Sequence, residues 1–196
     1  IINVTGVGKV KKGKIVSTGG LKPGDEIVMT KWAGLEGTSI IAAEKEEKLL
    51  ETLPRELVDV AKGFKEYLSV IPESKIAMEV GVSAMHDVTE GGVFGALWEL
   101  GEASGVGITA HLDKIPIKQE TIEVCEVFKI NPYMLISSGS MMIGCEKGNL
   151  LVEKLEEAGI NAAVIGRATE GNDRIVVSRD ETRYIGPAGS DELYKI

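Results

Sequence analysis

Asp87-Val88-Thr89-Glu90-Gly91-Gly92 constrains the fold more than any other stretch of this chain. Ahead of it Ser83 to Val88 reads as a strand, and behind it Val93, Leu97 and Leu100 recur at helical spacing. A strand that passes through two glycines into an amphipathic helix must lay that helix across a sheet, because the apolar stripe has to be covered. The same grammar occurs earlier, in the strand Ile27 to Thr30, the loop Gly34-Leu35-Glu36-Gly37, and a helix running to about Leu53 with Thr38 as its N-cap and Glu44 and Lys48 paired one turn apart.

The rest of the chain fills in around these two units. Lys22-Pro23-Gly24-Asp25 has the Pro and Gly of a type II turn. A helix after Pro54 carries Leu57, Val60, Ala61, Phe64 and Leu68 on one face, and a short one through Ile76, Ala77 and Val80 ends near Gly81. Val106 to Leu112 alternates as a strand, turning His111 to the less apolar side. A helix with Ile122, Cys125 and Phe128 inward follows Pro116; Met141 to Cys145, Ala162 to Arg167 and Ile175 to Ser178 are strands, and the helix between the first two closes at Gly159. The fold class expected is α+β, a mixed β-sheet covered by helices, with the Asp87 strand inside the sheet. Ile2 to Val10 alternates like a half-exposed strand, with Lys14 to Ser17 as its return. Residues 1–20 are a loosely attached linker strand, 21–181 one domain, and 182–196 a tail.

Several function classes fall away on composition. A net charge of −8 repels nucleic-acid backbones. No apolar run is long enough to span a bilayer, no signal-peptide pattern opens the chain, and a cytoplasmic location is expected. Cys125 and Cys145, the two cysteines, match no zinc or redox spacing and read as buried thiols. His86 reads as a structural histidine, and neither a Walker loop nor a nucleophile elbow occurs.

The candidate site is built from glycine turns. At Asp87 to Gly92, backbone N–H groups of Gly91 and Gly92 and the positive helix end suit a phosphate, Asp87 faces a metal ion or water, and Thr89 and Glu90 flank them. The competing reading is that Thr89 caps the helix and the glycines only permit close packing. Gly34, Glu36 and Gly37 offer a second such loop, and Ser138 and Gly139, within Ser137-Ser138-Gly139-Ser140, a hydroxyl-rich hinge. All are expected to converge on one concave surface at one edge of the sheet.

In order, Leu21-Lys22-Pro23-Gly24-Asp25 with Ile27 to Thr30, Gly34-Leu35-Glu36-Gly37, Asp87 to Gly92, and Ile115-Pro116-Ile117 with Asn131-Pro132 resemble the C-terminal domain of the aminoimidazole ribonucleotide synthetase-related superfamily. HypE-type hydrogenase maturation proteins are the nearest in wording. The resemblance implies ATP and Mg2+ bound mainly by a preceding N-terminal half, a homodimer, and a small-molecule substrate or a partner maturation protein. It also implies phosphoryl transfer that activates an acyl or amide oxygen, with Ile1 a cut inside a longer protein. Two departures stand out: Glu90 replaces the Arg of HypE-type proteins, and no cysteine ends the chain. A non-catalytic module keeping the fold is the alternative, and thiamine-phosphate kinase or selenophosphate synthetase chemistry a further one.

Overall fold

The computed structural model describes residues 2–179 and 181–196. In chain order the elements are β1 (Glu26–Thr30), α1 (Leu35–Glu44), α2 (Glu46–Leu50), α3 (Arg55–Gly63), α4 (Ile71–Val80), β2 (Ala84–Asp87) and α5 (Gly92–Ser104), then β3 (Gly107–His111), α6 (Gln119–Phe128), β4 (Met141–Cys145), α7 (Gly148–Glu157), β5 (Ala162–Thr169), β6 (Arg174–Ser178) and β7 (Glu181–Tyr184). The strands form one seven-stranded sheet in the order β2-β4-β1-β5-β3-β6-β7. Among the described residues only β3 and β6 pair in parallel; the other neighbours are antiparallel, so the sheet is mixed as its alternating segments suggested.

Period-two alternation places opposite halves of each strand on the two faces. Ile27, Met29, Ile108, Ala110 and Ile165 turn to one side, where Val93, Leu97 and Leu100 of α5 are fully buried against them. Val28, Ile143 and Cys145 turn to the other, against Ala77 of α4 and Leu151 and Leu155 of α7. A third cluster joins α1, α2, α3 and α6 through Ile41, Leu49, Val58 and Val124 beyond the sheet. Among the described residues no helix is long and apolar enough to cross a membrane.

The structure revises several local expectations. Ile2 to Val10 and Lys14 to Ser17 form no strand, and Ile2, Val4, Val7, Val10 and Ile15 are exposed. With no partner strand their backbone has no ladder to join, and a lone hairpin is marginal in water. The first helix starts at Leu35, capped by Gly34 in the left-handed region at φ +66°, and breaks at Lys45. Thr38 is therefore interior, its hydroxyl donating to Thr121 Oγ1 at 3.0 Å, and Lys48 pairs with Glu51 in place of Glu44. On α3 the buried face runs through Val58 and Ala61, leaving Val60 half exposed. The Asp87 strand, β2, lies at the edge of the sheet with β4 as its one strand partner, and its outer side meets Ser17, whose carbonyl accepts from Met85 N at 3.3 Å. β7 falls where the tail was expected to begin, paired with β6.

Both cysteines are buried free thiols. Burial is the main cause that raises Cys125 from its ordinary value of 9.0 to about 12, and Cys145 to about 11. Each therefore stays protonated in the folded state while the unfolded chain would ionise it, so its contribution to stability is whole below pH 9 and fades as pH rises through 11 and 12. At neutral pH a disulfide reagent should leave both unmodified in native buffer and react with both in denaturant; a thiol titrated rapidly in the native state would contradict this.

Candidate functional site

β1 and β2 both run antiparallel to β4, so they point the same way and end at one margin of the sheet, where β4 begins. The loops after β1 and β2 and the loop before β4 thus meet without any long-range coincidence of side chains. Backbone and hydroxyl hydrogen bonds stitch them together. Met141 N donates to Thr30 Oγ1 at 3.0 Å, Ser140 Oγ to the Trp32 carbonyl at 2.7 Å, and Val88 N to the Ser140 carbonyl at 3.0 Å. Gly34 N donates to Ser137 Oγ at 2.7 Å and Gly37 N to the Ile136 carbonyl at 2.9 Å.

The structure accordingly brings Gly34, Glu36 and Gly37, Asp87 to Gly92, and Ser138 and Gly139 to the same end of the sheet. Their surroundings differ. Asp87 and Glu90 are exposed, Glu36, Thr89 and Ser138 are partly covered, and Gly34, Gly37, Gly91, Gly92 and Gly139 are buried. Gly92, at φ +61°, is pressed against the Leu135 strap: a Cβ there would lie 2.7 Å from the carbonyl oxygens of both Tyr133 and Leu135. Its N–H is used within the turn, donating to the Thr89 carbonyl at 3.0 Å. Glu36 Oε2 is buried without a hydrogen-bond partner among the described residues. Thr89 does not cap α5; Gly91, at φ +80°, holds that position.

Two contributors were not legible in the sequence. The first is Lys31, in the left-handed region at φ +54°. Its buried ammonium donates to the carbonyls of Tyr67, Ser69 and Gly139 at 2.9, 2.7 and 2.7 Å. It also lies 2.6 Å from Glu73 Oε1, a charge pairing, since no well-aligned donor among the described residues reaches either Glu73 oxygen. The second is the C-terminal segment. Asp191 is buried at 3% exposure, accepting from Gly91 N at 2.7 Å through Oδ2 and from Ile136 N at 3.2 Å through Oδ1. The Tyr194 hydroxyl donates to Glu90 Oε1 at 2.9 Å, and that carboxylate raises the phenol above its ordinary pKa. A cavity of about 480 Å³ opens beside the turn, walled by Gly91, Gly95, the stacked rings of Phe94 and Tyr133, and Pro187 and Ala188 of the same segment.

His86 is fully engaged away from this margin, with Nε2 2.8 Å from Glu99 Oε2 and Nδ1 3.2 Å from Thr18 Oγ1. No cluster of three His, Cys, Asp or Glu side chains suited to a metal occurs among the described residues.

Residues 22–178 match the family model described as AIR synthase related protein, C-terminal domain. The chain belongs to that family. Within it, the chain is 31% identical over 186 residues to a Methanocaldococcus jannaschii protein named for hydrogenase expression and formation, covering 90% of this chain and 52% of the relative. It is 23% identical over 171 residues to carbamoyl dehydratase HypE of Rhodobacter capsulatus, covering 85% and 48%. The chain thus spans about half the length of the curated relatives it matches. Among solved structures, hydrogenase maturation protein HypE in complex with ATP shares the fold at a TM-score of 0.70 and 16% identity, covering 91% of this chain and 55% of that one. The HypE–HypF complex does so at 0.71 and 20%, covering 88% and 55%. This AIR synthase-related domain therefore has the expected α+β fold and HypE-like, ATP-binding relatives.

Proposed function

We propose that this chain is the C-terminal domain of an ATP-dependent, HypE-like enzyme, and that its loop margin faces the nucleotide phosphates. The observation that carries the reading is the meeting of three loops at one end of the sheet. Two of them lead into the N-termini of α1 and α5, whose partial positive charge favours anions. The margin fits a magnesium–phosphate group in chemical kind. Asp87 and Glu90 are exposed carboxylates that tolerate a phosphate only with a cation between them, and the hydroxyls of Thr89 and Ser138 are suited to phosphate oxygens. ATP, when bound, supplies the phosphoryl group that activates an acyl or amide oxygen. Asp87 would help hold the Mg2+, the hydroxyls of Thr89 and Ser138 would bond phosphate oxygens, and Glu36 would add a further carboxylate.

On this reading residues 1–20 close the preceding nucleotide-binding half, 21–181 with the remainder of β7 form the catalytic cover, and the residues after β7 are an appended segment. The full-length protein acts as a homodimer in the cytoplasm beside a partner maturation protein. Asp191 and Glu90, two carboxylates at the presumed phosphate position, favour the second reading, a module that keeps the fold for interaction alone.

Calorimetry with MgATP separates the two. The full-length protein should bind at micromolar concentration and turn ATP over, the 196-residue chain alone should bind poorly, and Asp87→Asn should reduce turnover at least tenfold with an unchanged melting temperature. Turnover unaffected by Asp87→Asn, or no binding by the full-length protein, would leave the interaction module as the better account.

A further inference from the structure

We infer that the C-terminal segment is an intramolecular occupant of the phosphate-facing turn, so that ligand and tail exclude one another. The inference rests on the functional reading above and adds a regulation of that same site.

Each backbone N–H has one proton to give. That of Gly91 is given to Asp191 at 2.7 Å, and Ile136 N, from the strap before β4, donates to the same carboxylate. Two loops distant from one another in sequence therefore converge on a single internal anion, 100 residues downstream of Gly91. A phosphate oxygen cannot take these donors while Asp191 holds them, and its charge is repelled by the carboxylate. Space is denied as well: Ala188 Cβ lies 2.8 Å from where a side chain on Gly91 would begin. The Tyr194–Glu90 bond adds a second clasp, and it gives Glu90 a use that an anion-binding position does not. Leu193 and Ile196, partly buried against the Ile41–Leu135 cluster, seat residues 193–196. The segment is held by the buried Asp191 and Glu192, by Ala188 against Gly91 and Gly95, by one exposed tyrosine and by two partly buried apolar side chains. Among the described residues it contributes no strand to the sheet beyond β7, so its release exposes little of the core.

The test uses the full-length protein. Saturating MgATP should raise the amide hydrogen-exchange rate of residues 191–195 at least threefold, and Asp191→Asn, which keeps the shape and removes the charge, should tighten MgATP binding about tenfold. Asp191→Ala with Tyr194→Phe should do the same if Asp191→Asn folds poorly, with melting temperatures recorded for each. ATP binding that is unchanged or weaker in the folded variants, or a tail equally protected from exchange with and without nucleotide, would overturn the exclusion while leaving the ATP reading intact. Failure of the parent protein to bind MgATP at all would sink both.

Discussion

Gly92→Val should destabilise the domain by about 3–5 kcal/mol, combining the cost of a left-handed φ for a branched residue with overpacking against a rigid backbone. The new Cβ would lie 2.7 Å from two carbonyl oxygens, and neither belongs to a flexible side chain that could swing away. From the sequence the N–H of Gly92 is expected to face a phosphate, but the side on which a side chain would grow is filled by residues 133–135 of the protein itself. Urea denaturation of the variant measures the loss directly. A midpoint within experimental error of the parent would mean that the strap can retreat, and that the close contact does not govern this turn.

Lys31→Met should cost a similar amount, about 3–5 kcal/mol, by leaving the Glu73 carboxylate buried with no counter-charge. Three carbonyls lose their shared donor at the same time, among them that of Gly139 in the candidate site. Removing both charges is a different matter, since a buried pair replaced by apolar groups of like volume is often neutral. Lys31→Met with Glu73→Leu should therefore recover much of the loss. If the double variant is as unstable as the single one, the carbonyl contacts of Lys31 outweigh its pairing with Glu73.

The sequence made the layered architecture legible where a local period had one solution. Val93, Leu97 and Leu100 define a single stripe, and the glycines before them fix where strand stops and helix starts. On α3 the period was ambiguous: Leu57, Val58, Val60 and Ala61 are four apolar residues within five positions, so two neighbouring faces compete and only the arrival of Ile41 and Leu49 decides for Val58. The edge position of β2 was hidden for a related reason, because its short apolar run resembles an interior strand, while its outer neighbour is the irregular Ser17–Gly20 segment. At the site, the meeting of the three loops followed from strand direction, which alternation and glycine placement suggest. The occupant of the Gly91 donor did not follow, for a contact between residues 91 and 191 has no periodic trace. The one local sign is that Asp191 also accepts from Leu193 N at 2.9 Å, a short cap within what read as a featureless tail.

The position of β1 also governs how the chain can acquire its shape. Thr30 and Met141, joined across the first ladder, are 111 residues apart, and the other flank of β1 is supplied by β5, later still. Closing so long a loop costs entropy before any ladder contact repays it, which makes such topologies slow to fold. During synthesis Ile27, Val28 and Met29 therefore emerge well before either partner strand exists, while α1 to α3 can already gather locally. β1 is the first of these strands to be made and the one that waits longest for a partner. For that interval its two bare edges and apolar side chains are the part of the nascent chain with most need of a chaperone.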